Sequence, residues 1–359
     1  MMKYLFSICL AVIVCFGCYG QPKLVKTEDV TFKLGFVPTA APQCFVDGNE
    51  EYMAFANLSS NKEIALFKPD GTRVATIHTD SLAMKTRSDY VGFFFACRDT
   101  VLVLSKYSNL LAILNGNSDI LNVLNYQELL AHDEMELSVP LFYNNGQIRI
   151  GAMFGGNNWK TPEECRQGWS RYPRLMAYRI AGDEAPSLQV RNFYDQFAKP
   201  TDDISEGNRM LLMEDKSIIW SMYCDTLYVY DLDGKLQQKA AVESDYIKTK
   251  LTPASIYDTW ADQQLSNRIT QEGSYIDKLC FDKYRGVYYC FIQDKVSEGR
   301  QDFYLIIFND NLEKIGEIPF VDGEYYSYPI VGKKGLYLLK QRNKSGFRAQ
   351  AYTIFRYER

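Results

Sequence analysis

The stretch Leu227-Tyr-Val-Tyr-Asp-Leu-Asp-Gly-Lys-Leu-Gln-Gln-Lys-Ala-Ala-Val242 decides the reading of the fold. An apolar, aromatic-rich run enters a turn of Asp and Gly and returns as a second run. Tight hairpin turns need positive φ, which Gly tolerates freely and Asn or Asp better than most residues, so the segment predicts an antiparallel hairpin. The unit recurs at 64–77, 111–123 and 304–318, and more loosely at 175–190. Turn centres at 70, 116, 182, 233 and 310 are 46, 66, 51 and 77 residues apart, so the longer gaps hold insertions.

Ahead of each copy lies another strand pair, at 51–56, 90–105, 141–154, 210–223 and 279–292. Three or four strands per unit is the content of a propeller blade, and radial repetition spares an antiparallel protein long open edges. Five units are complete, and a sixth, from Tyr328 to Arg359, lacks its outer strand. Residues 30–36 supply that strand and fasten the chain ends together. The expected fold is therefore all-β, a six-bladed β-propeller with short helical insertions, formed by residues 21–359 as one domain. Seven blades is the alternative if residues 243–274 hide strands. Residues 192–203 and 252–269 read as helical; Thr252-Pro253 resembles a cap and first turn, with Ile256, Trp260 and Leu265 on one face. Asn125-Tyr-Gln-Glu128 has the cap signature of a short helix.

Apolar residues make up 47% and charged residues 23% of the 359, which excludes disordered, collagen-like and multi-span membrane classes. A formal charge of −4 with basic residues spread along the chain excludes a nucleic-acid footprint. Aromatics at 14% suit half-buried pleated surfaces.

Residues 1–20 read as an export signal. Lys3 precedes an uncharged apolar run at 4–16, too short to cross a ~30 Å hydrocarbon core as a helix. Gly17-Cys18 resembles a lipobox, making Cys18 the lipidation site; ordinary cleavage after Gly20 and an uncleaved anchor are the other readings. The expected location is the periplasm or the lipid-anchored cell envelope of a Gram-negative bacterium, the membrane being reached only through that anchor.

Cys44, Cys97, Cys165, Cys224, Cys280 and Cys290 remain outside the leader, too sparse for a disulfide scaffold and without a CxxC pair. A three-residue loop Tyr284-Arg285-Gly286 would set Cys280 opposite Cys290 across a hairpin, within disulfide reach. The two readings are a cross-strand disulfide and two packed thiols.

The elements Tyr172-Pro-Arg-Leu-Met-Ala-Tyr178, Glu243-Ser-Asp-Tyr-Ile247 and Phe281-Asp-Lys-Tyr-Arg-Gly-Val-Tyr-Tyr-Cys-Phe291, with the lipoprotein-type leader, resemble a domain-of-unknown-function family of Bacteroidota lipoproteins. That family is similar in architecture to TolB-like six-bladed propellers. The resemblance implies the fold over nearly the whole mature chain and no activity, so no catalytic residue is assigned.

Metal and nucleophile chemistry find little material. His78 and His132 are isolated, and GxSxG, phosphate-loop and dinucleotide motifs are absent, so neither metal nor cofactor is expected. Asp231 with Asp233, Asp202 with Asp203, and Asn309-Asp310-Asn311 read as turn formers rather than calcium ligands. Trp159, Trp169, Arg171, Tyr172, Tyr257 and Trp260 lie in the insertions, where aromatic faces stack on sugars or peptide side chains and Arg grips a carboxylate. The plainer reading is that both Trp of the first loop fill its own small core. Together these features describe a monomeric envelope module that binds or assembles with a protein or glycan partner. The alternative is a hydrolase or lyase with its site at the channel mouth.

Overall fold

In a computed structural model the described residues are 23–59, 62–80, 90–105, 110–125, 135–144, 146–154, 175–179, 187–191, 208–221, 225–247, 274–297, 300–341 and 348–358. They form an all-β structure of six four-stranded antiparallel sheets. Strand β1 (Lys23–Lys33) opens the chain. The first sheet is β2 (Gln43–Asp47), β3 (Glu50–Asn57), β4 (Glu63–Phe67) and β5 (Arg73–His78); the second is β6 (Tyr90–Cys97), β7 (Thr100–Ser105), β8 (Leu110–Leu114) and β9 (Ile120–Asn125). The third is β10 (Met135–Asn144), β11 (Gln147–Phe154), β12 (Leu175–Arg179) and β13 (Ser187–Arg191). The fourth is β14 (Asn208–Leu212), β15 (Lys216–Ser221), β16 (Thr226–Asp231) and β17 (Leu236–Ala241). The fifth is β18 (Tyr275–Asp282), β19 (Val287–Ser297), β20 (Arg300–Phe308) and β21 (Lys314–Phe320). The sixth joins β22 (Tyr325–Val331), β23 (Leu336–Lys340) and β24 (Ala349–Glu358) to β1 from the other end of the chain.

The first strands of successive sheets neighbour one another in a closed circuit, β2 to β6, β10, β14, β18, β22 and back to β2. They line the central axis, and this is a β-propeller. No helix occurs among the described residues; the helical readings at 192–203 and 252–269, and 126–128 of the third, lie outside them, while Asn125 ends β9.

Both faces of the middle strands whose side chains are described are covered, which is why these strands read as unbroken apolar runs. Along β3, Tyr52, Ala54 and Ala56 face the second sheet, and Met53 and Phe55 face the sixth. On β19, Tyr288, Cys290 and Ile292 pack toward the fourth sheet, while Val287, Tyr289 and Phe291 pack toward the sixth. The core is thus a set of apolar layers between sheets, with Phe45 and Phe95 stacked at 4.5 Å across one of them.

The β18–β19 register corrects the cysteine reading. Asp282 pairs with Val287, so the loop has one residue more than the sequence suggested, and Cys280 faces Tyr289 while Cys290 faces Leu279. One step of register puts the two thiols on opposite faces of the sheet. Both are free, with burial pushing the Cys280 thiol up to about 11 and Cys290 higher still. The added residue is anchored by Asp282, wholly buried, whose Oδ1 accepts the Tyr284 and Arg285 N–H groups and whose Oδ2 pairs with Arg285 at 2.9 Å.

Candidate functional site at the insertion rim

In such a sheet the first and third strands run one way and the second and fourth return. The connections from second to third strand, and from one sheet to the next, therefore share one rim of the ring. The first-to-second and third-to-fourth hairpins share the other. Segments 155–174, 192–207 and 242–274 are all of the former kind, so the strands flanking them end or begin at this insertion rim. Trp159, Trp169, Arg171 and Tyr172 belong to the connection between β11 and β12, and Tyr257 and Trp260 to that between β17 and β18. These six residues, and Cys18, lie outside the described residues.

Three first strands slip register near their starts, at this rim. These are β6 between Tyr90 and Gly92, β18 between Ile276 and Lys278, and β22 between Tyr326 and Pro329; β10 slips midway, between Ser138 and Leu141, and β6 slips again between Phe95 and Cys97 at the hairpin rim. Bulges leave a residue unpaired and re-aim its side chain, and they concentrate near binding sites and barrel rims.

Two of these bulges build a polar cluster that the sequence reading did not single out. Asp277, at the β18 bulge, accepts the Ser327 hydroxyl on Oδ2 at 2.7 Å, and its Oδ1 lies 3.4 Å from Nη1 of Arg209. Arg209 stands on β14, Asp277 on β18 and Ser327 at the β22 bulge, so three consecutive first strands each contribute one residue. Behind them Gln293 Oε1 accepts the Tyr275 hydroxyl at 3.1 Å, with the Ser327 oxygen 3.4 Å away. Ser327 and Gln293 are buried, the Asp277 side chain is 15% exposed and that of Arg209 41%. The guanidinium therefore stands toward solvent while its carboxylate partner is held from behind. Such a set presents oriented donors and an acceptor to a carboxylate or a hydroxyl-rich ligand. Among the described residues no group of three His, Cys, Asp or Glu side chains is arranged to hold a metal ion.

One signal for this cluster is present in the sequence. Ile276 and Leu279 face the same apolar layer although three residues apart instead of two, and that break in alternation is the bulge that displaces Asp277.

At the opposite, hairpin rim, polar groups are spent on holding sheets together. Glu51 Oε1 accepts the Lys333 N–H at 2.7 Å and the Tyr284 hydroxyl and Cys44 thiol at 3.4 Å, and Arg285 donates to the carbonyls of Gly332 and Lys333. Burial, with Glu51 beside it, raises the Cys44 thiol and keeps it protonated. Arg149, buried on β11, donates to the Met213 and Lys216 carbonyls and ties the third sheet to the fourth. The segment Glu243-Ser-Asp-Tyr-Ile247 works in the same way: Ser244 Oγ donates to Glu317, Glu317 accepts the Asp245 N–H, and Lys314 bridges Asp245 and Glu317. It clips the end of the fourth sheet to the outer strand of the fifth.

A class thus follows from fold and rim together: a β-propeller with a polar cluster where its axial strands begin. At the level of family, residues 186–319 match the model of a domain of unknown function, DUF4221. The crystal structure of a DUF4221 member from Bacteroides vulgatus superposes with a TM-score of 0.76, covering 94% of this chain and 99% of that one at 18% identity. A virginiamycin B lyase from Staphylococcus aureus covers 91% of this chain and 99% of its own, at 9% identity and a TM-score of 0.46. Regucalcin from Agrobacterium tumefaciens, a calcium-binding protein, covers 92% and 93% at 8% identity and 0.45. No curated protein matches the sequence.

Proposed function

We propose that this chain is an exported, lipid-anchored propeller of six blades that binds or assembles with a protein or glycan partner through its insertion rim. The six sheets and the closed circuit of their first strands support the blade count. The observation that carries the binding reading is the concentration, on one rim, of the bulged strand starts, the Arg209–Asp277–Ser327 cluster and the flanks of the connections bearing Trp159, Trp169 and Tyr257. Ligand sites gather on loops held by a rigid scaffold, and aromatic and Arg side chains carry most of the energy of such contacts.

The test compares wild type with two double variants, Trp159→Ala/Trp169→Ala and Arg209→Ala/Asp277→Asn, as baits for envelope proteins and envelope polysaccharide. Circular dichroism and thermal unfolding establish that the variants keep the fold. Each is expected to lower capture by about tenfold, the effect of losing ~1.4 kcal/mol of contact. Undiminished capture by both folded variants would remove the rim as the site.

A further inference from the structure

The direction of β1 sets how the ring sits on a membrane. β1 pairs antiparallel with β24, Lys23 opposite Glu358 and Lys33 opposite Ala349. Leu336, which begins β23 just after the Gly332–Gly335 hairpin, pairs with Phe355, and Phe355 pairs with Lys26. Lys23 therefore enters the ring at the hairpin rim, opposite the rim of the polar cluster. Four residues separate Cys18 from Lys23, a tether of at most about 17 Å when extended. A strand of eight residues such as β18 spans about 27 Å, so the two rims stand farther apart than the tether is long.

We infer that the hairpin rim of the fifth and sixth sheets rests on the phospholipid surface that carries the anchor, and that the insertion rim faces away from it. The inference rests on the anchoring of Cys18 stated above. The chemistry of this sector fits a headgroup layer. Lys23, Lys283 and Lys333 are exposed there, with Val25 and Tyr284 each 37% exposed beside them. An aromatic ring with a polar tip is suited to the interface between headgroups and acyl chains. Each Lys near an anionic surface adds to the attraction.

The full-length lipoprotein, reconstituted in phosphatidylethanolamine–phosphatidylglycerol vesicles that contain doxyl-labelled lipid, tests this. An environment-sensitive fluorophore is attached at Lys283→Cys on the hairpin rim or at Asp322→Cys between β21 and β22 on the insertion rim, with the unsubstituted protein as background. Quenching several-fold stronger at position 283 than at 322 is expected. Equal quenching, or stronger quenching at 322, overturns the orientation. Palmitate labelling of wild type and of Cys18→Ser separates the two ideas. Label on wild type with quenching at the wrong rim sinks the orientation alone, and no label at Cys18 withdraws the anchor and the orientation together.

Discussion

At the scale of single residues the repeat is written in its third-to-fourth-strand turns. Lys68, Asn115, Asp231 and Asn309 each donate an N–H to the carbonyl four positions on and accept the N–H three positions on. The residue at that third position always has positive φ: Gly71 at 89°, Ser118 at 72°, Gly234 at 79° and Leu312 at 60°. Asn115, Asp231 and Asn309 add side-chain acceptance of the N–H groups two and four positions on, which commits these oxygens to the turn. The turns also dock. Ser118 Oγ accepts the His78 N–H of the preceding sheet at 2.8 Å, and the Asn311 carbonyl accepts from Gln238 at the same distance. Gly71 meets β1 in the same way, so closely that a Cβ there would lie 2.6 Å from the Thr31 carbonyl oxygen. Gly35, at φ 82°, has open space around its Cβ position. Gly35→Ala should therefore cost only the left-handed backbone penalty, about 1–2 kcal/mol, and Gly71→Ala clearly more, because β1 must also move. Chemical denaturation of the two variants checks the order; equal losses would mean that β1 yields freely.

At the scale of elements, β1 is the strand on which closure depends. Its outer position beside β24 is legible from the unit that lacks an outer strand, although the strand runs from Lys23 to Lys33 rather than from 30 to 36. Phe32 shows why the strand stays. Fully buried, it packs against Phe55 and Phe67 of the first sheet and Tyr352 of the sixth, at centroid distances of 4.9, 5.6 and 5.7 Å. Phe32→Ala should lower stability by about 3–5 kcal/mol, the range for emptying such a site. Limited proteolysis should then cut first at the two chain ends. Cleavage starting elsewhere, or a loss below about 1 kcal/mol, would show that closure does not run through this ring.

At the scale of the whole molecule, the two chain ends are also clasped by charge. Asp29 of β1 accepts from Lys340 at 2.5 Å and from Thr353 at 2.6 Å. Burial acts to raise its carboxyl, but the hydrogen bonds from Lys340 and Thr353 outweigh burial and hold it below the ordinary Asp range. A carboxyl whose folded value lies below its unfolded value of about 3.9 stabilises fully above that pH and loses the contribution as pH falls through the folded value. Wild type should therefore unfold at a higher temperature than Asp29→Asn at neutral pH, with the gap closing below about pH 4. Since the Asp29 side chain is 45% exposed, molar salt should narrow the gap as well. A difference independent of pH would assign the effect to packing.

By itself the sequence determined what local chemistry decides. Turn residues marked the hairpins, unbroken apolar runs marked strands covered on both faces, and the unit missing a strand marked the closure. These are short-range preferences, readable from neighbours in the chain. Only the tertiary structure decided the β18–β19 register, because Asp282 lengthens the loop through bonds to Tyr284 and Arg285, and Arg285 in turn bonds to the next sheet. It alone brought together Arg209, Asp277 and Ser327, which lie on three different strands and meet only when those strands surround one axis. Their separation in sequence carries no trace of that contact, since the curvature of the ring, set by apolar layers packed between sheets, is a property of all the sheets at once.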